Sequence, residues 1–99
     1  MSFTSKIWDN LEKTKIDTAF KGMPLKAQGK TVQEFIKSAP NLFTSDFQFP
    51  VAILNKTSLE NNLHRMAEFC REIDVSLAPH VKTTMSPQIA RMQLEHGAW

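Results

Sequence analysis

Between Pro50 and Gly97, short runs of strand pattern alternate with stretches of helical spacing, and this alternation limits the fold more than any other feature of the chain. Pro50-Val51-Ala52-Ile53-Leu54 is continuous, apolar and short, the pattern of a buried strand. Thr57-Ser58-Leu59-Glu60 then has capping-box spacing, and Leu59, Leu63, Met66, Ala67, Cys70 and Ile73 hold a helical phase, with Asn61, Glu68, Arg71 and Glu72 on the solvated face. From Val75 to Lys82 the period returns to two: Val75, Leu77, Pro79 and Val81 fall on one side, Ser76, Ala78, His80 and Lys82 on the other. Ser86-Pro87 reads as an N-cap followed by proline at N1, opening a helix through Ile89, Ala90, Met92 and Leu94 that ends at Gly97. Ala98-Trp99 predicts the start of a further strand. Strand, helix, strand, helix with short connections predicts a parallel α/β sheet.

The first half carries weaker signals. Trp8, Leu11 and Ile16 are poorly phased apolar positions in a charged background, consistent with a short helix over Ser5–Lys15 and then an irregular connection broken by Gly22, Pro24 and Gly29. Thr31-Val32-Gln33-Glu34 has capping-box spacing and predicts a helix over Val32–Ser38 that Pro40 stops. Asn41 to Gln48 reads as a connector. The predicted division is an extension over residues 1–45 and a βαβα segment over residues 46–99.

Ninety-nine residues, 41% apolar and 22% charged, describe an ordinary globular composition. This length holds one small core and falls far short of the roughly 250 residues of a closed (β/α) barrel. A lone strand pair leaves two open edges, so the chain reads as an N-terminal piece of something larger. The formal charge of +2 is spread along the chain without a basic stripe, which gives no indication of nucleic acid or an anionic membrane. The longest apolar runs are too short for a signal peptide or a membrane span, and one cysteine, Cys70, forms no internal disulfide; a cytoplasmic protein is the expectation.

Lys82 is the candidate for covalent chemistry, because a lysine at the carboxyl end of a buried strand can become a nucleophile. On pattern alone the commoner role is a solvated charge, one of twelve basic residues. His80, on the same predicted face, either bonds a backbone carbonyl or positions a cofactor. Ser86 is first a helix cap and Cys70 first a packing residue on its helix's apolar stripe. His64, His80 and His96 lack metal-site spacing, and three glycines leave no phosphate-binding loop.

Pro50-Val51-Ala52-Ile53-Leu54, Leu59-Glu60-Asn61-Asn62, Pro79-His80-Val81-Lys82-Thr83, Ser86-Pro87-Gln88-Ile89-Ala90 and Gly97-Ala98-Trp99 together resemble the start of the D-threonine aldolase and D-serine dehydratase family. These are pyridoxal-phosphate enzymes of the alanine-racemase fold, and the resemblance runs from Phe49 to the end of the chain. It implies the N-terminal portion of a (β/α)8 barrel, incomplete in this chain, with the rest of the barrel and a C-terminal β domain supplied by the remainder of the polypeptide, in a homodimer. It implies that Lys82 forms the imine with pyridoxal 5'-phosphate and that the substrate is a small D-amino acid cleaved by lyase chemistry; His80, on the same predicted face, is then the candidate for a second cofactor contact. Many members carry Lys-Thr-His-Lys where this chain has Lys82-Thr83-Thr84-Met85. That departure resembles a bacterial branch labelled D-serine deaminase-like or amino-acid deaminase, and it leaves open both the exact substrate and a divalent metal held by C-terminal residues. A non-catalytic pyridoxal-phosphate carrier of the same fold and a plain α/β interaction domain are the alternatives.

Overall fold

Thr31 and Glu34 act as their spacing predicts. In a computed structural model of the chain, which describes residues 9–99, the Thr31 hydroxyl accepts from the Glu34 N–H at 3.1 Å and the Glu34 carboxylate accepts from the Thr31 N–H at 2.8 Å. This reciprocal cap satisfies two donors that a helix start otherwise leaves open. It opens α1, Val32–Lys37. The helix ends at Ala39, which takes a left-handed φ of 49°, and at Pro40, which has no N–H to return to the last turn. The Ser38 hydroxyl donates to the Phe35 carbonyl at 2.6 Å, the carbonyl that an N–H two residues beyond Ser38 would serve in the usual helix stop.

The chain divides into two compact units, residues 1–52 and residues 53–99. In the first, the segment around Ile16 pairs with the segment entering α1. Ile16 donates to the Lys30 carbonyl at 2.8 Å, Gly29 donates to Ile16 at 2.8 Å, and Val32 donates to Thr14 at 2.9 Å, around an antiparallel bridge between Lys15 and Thr31. The pairing holds Ile16 at 1% exposure in a core with Ala27 and Phe35, against which Met23, Val32 and Phe47 pack. Ala27 is presented by a 3-10 turn, Leu25–Ala27, behind the buried Pro24. Phe47 meets Phe35 edge-on with ring centroids 5.9 Å apart, an arrangement favoured by the ring quadrupoles. Of the helix expected over 5–15, residues 5–8 lie outside the described residues and residues 9–12 are helical.

The second unit holds the two longer helices. The first, α2, Lys56–Glu72, starts one residue before the expected Thr57 cap, because the Asn55 side chain accepts from the Ser58 N–H at 2.9 Å and takes the cap position itself. Glu60 faces Lys56 instead, at 3.8 Å. Its far end is a Schellman stop: Asp74 donates to Arg71 at 3.3 Å and Val75 to Cys70 at 2.9 Å, with Asp74 at a φ of 53°. The second helix, α3, Pro87–Glu95, is capped by Ser86, whose hydroxyl accepts from the Ile89 N–H at 3.3 Å, with Pro87 at the first turn. It ends in a second Schellman stop, with Gly97 bonded to Leu94 and Ala98 to Gln93, both at 3.0 Å.

The predicted α/β architecture is wrong: 46% of the described residues are helical with almost no strand among them, and this is not part of a (β/α)8 barrel of alanine-racemase type. Neither predicted strand forms a ladder among the described residues. Pro50 offers no N–H, Val51 packs over Gly22, and Asn55 is committed to capping α2; Ala52, Ile53 and Leu54 between them stay exposed, and the division between units falls within this run. Residues 75–80 form no strand, and one backbone bond, from the Trp99 N–H to the Leu77 carbonyl at 2.7 Å, reaches them from residue 99. A strand is stable only with neighbours on its edges, and β-branched composition alone does not supply them.

Candidate functional site

Lys82 lies on a 3-10 turn, Val81–Thr83, with His80 at its N-cap position. The turn closes through Thr83 donating to the His80 carbonyl at 3.2 Å and Met85 donating to the Val81 carbonyl at 2.9 Å. The Thr84 hydroxyl adds a third bond, to Val81 at 3.3 Å. This local closure ends the two-residue alternation at Pro79, since successive side chains in a 3-10 turn are about 120° apart and positions two apart no longer share a row. Lys82 and His80 are both exposed, so the row of Ser76, Ala78, His80 and Lys82 expected along one strand face does not exist in this arrangement. Met85 follows at a φ of 49° with 77% of its surface exposed, a left-handed position more readily held by glycine or asparagine.

Beside this turn, within the 53–99 unit, an open groove of about 530 Å³ runs between α2, the extended 75–79 segment and α3. Its apolar wall includes Leu59, Leu63, Met66, Leu77 and Ile89. Pro79 and Thr84, the residues on either side of the Lys82 turn, reach this wall, whereas Lys82 and His80 do not line it. Arg71 and His96 are its basic residues; His96 is half-buried and its Nδ1 lies 2.7 Å from the Met92 carbonyl. Cys70 also reaches the groove and is half-buried, where its place on the α2 stripe suggested full burial.

The periodicity that marked the α2 stripe therefore located one groove wall correctly. Arg71 is exposed, as its place on the solvated face predicts, and borders the groove as well; the stripe gives no sign of Thr84 or His96. For His96 the available signal was its position seven residues after Ile89, two turns further along the same helix face. His64 points elsewhere and pairs with Glu68 at 3.1 Å, the same carboxylate that Arg65 reaches at 2.6 Å. No group of three histidine, cysteine or acidic side chains able to hold a metal ion occurs among the described residues. No helix among them is long and apolar enough to cross a membrane.

The donor set suits one part of a pyridoxal-phosphate site. Lys82 presents an exposed primary amine, with no ion pair among the described residues, on a turn fixed by three hydrogen bonds. The phosphate and ring contacts of such a site need charged or amide donors grouped around the amine, and the wall nearest it is apolar. The chain matches no family model, no curated protein and no solved structure.

Proposed function

We propose that this chain is the lysine-bearing N-terminal part of a cytoplasmic pyridoxal-phosphate-dependent lyase acting on D-amino acids, of the D-serine dehydratase or D-threonine aldolase type. The observation that carries the reading is the run Pro79-His80-Val81-Lys82-Thr83, with an accessible lysine amine at its fourth position. The cofactor, when bound, supplies an electron sink for the bond broken at the substrate Cα. Lys82 would hold the cofactor through its Nζ, and the same amine would be placed to hold or deliver a proton. His80, two residues away on the N-cap of the turn, orients the cofactor through its ring nitrogens. The apolar residues left exposed in the 53–99 unit, including Ile53, Leu54 and Trp99, support a requirement for further polypeptide around this segment.

Among the described residues no carboxylate or imidazole bonds to Lys82, and this favours a second reading, a pyridoxal-phosphate carrier without turnover. Both are tested by borohydride reduction of the protein in the presence of pyridoxal phosphate, peptide mapping, and assay with D-serine and D-threonine. Label on Lys82 with release of pyruvate or glycine, both absent in Lys82→Ala, is the result expected of the lyase. Label on Lys82 without turnover of either amino acid selects the carrier. Label elsewhere, or none, overturns both.

A further inference from the structure

We draw no further inference here: the strongest candidate, the open apolar groove of about 530 Å³ between α2, the 75–79 segment and α3, carries nothing because nothing in the structure shows what covers it.

Discussion

Asp74 and Gly97 occupy the same position in two helix stops and answer its demand differently. Both have positive φ, 53° and 94°, and each lies between a helix end and the chain that returns two hydrogen bonds to it. Left-handed backbone costs an ordinary residue roughly 1 kcal/mol and glycine almost nothing. A carboxylate at a helix C-terminus also faces the negative end of the dipole. Asp74→Gly is therefore expected to stabilise the 53–99 unit by about 1 kcal/mol, and Gly97→Ala to destabilise it by a similar amount. Urea titrations followed by helical circular dichroism would check the pair, and a loss of stability in Asp74→Gly would contradict the stop geometry. A Cβ on Gly97 would meet nothing within 4 Å, so its cost is conformational alone. Gly22 differs: at a φ of 80° its Cβ would come within 2.9 Å of Val51 and 3.2 Å of the Gln48 carbonyl, adding a clash to the conformational cost.

At the scale of elements, the helices begin and end on groups within a few residues of their boundaries. The Thr31–Glu34 box carries a pH signature. The Thr31 N–H, then the Thr31 hydroxyl, and more weakly Lys15 and Lys30, hold the Glu34 carboxyl below its ordinary value of 4.5 against a small opposing effect of desolvation. A carboxyl depressed in the folded state contributes stability above its unfolded value and loses it as pH falls through the folded one. An NMR titration of Glu34 should give a midpoint below 4.5 that rises when the chain is unfolded in urea; the same midpoint in both states would remove the box as a source of acid sensitivity. At α3, Ser86→Ala removes the acceptor for the Ile89 N–H and is expected to cost about 1 kcal/mol, with Ser86→Asp retaining most of it. Amide exchange at Ile89 should report the difference, and unchanged protection in Ser86→Ala would mean that the cap contributes nothing. These boundaries were legible in the sequence because their chemistry is local. The cap of α2 lies two residues before the one that the Thr57-Ser58-Leu59-Glu60 spacing predicts, because Asn55 is an equally good cap and its side chain sits three residues before the donor it serves.

In the whole molecule, the buried core belongs to the first unit, in the part of the sequence with the weakest periodic signal. Ile16, Ala27 and Phe35 are buried there, whereas no residue of 53–99 reaches that degree of burial and Phe69, Leu94 and Trp99 are exposed, Trp99 at 87%. Phe35→Ala should thus cost about 3 kcal/mol or more and erase the dispersed NMR signals of residues 14–52. Leu94→Ala, at a half-exposed surface position, should cost less than about 0.5 kcal/mol. Equal losses in thermal scans would argue against this placement of the core. Ile16 was unreadable as core because its burial comes from pairing with Lys30, a contact across a connection of about a dozen residues that no period reveals. Lys82 shows the same limit from the other side. The sequence by itself determined where helices start and stop, and that a lysine stands between a β-branched run and a capped helix, because caps and turns act over three or four residues. Only the tertiary structure decided that the β-branched runs remain unpaired, that Val51 packs on Gly22, and that Lys82 leaves its expected row on a 3-10 turn. Strand pairing depends on partners distant in the chain, and alternation records only a readiness to pair.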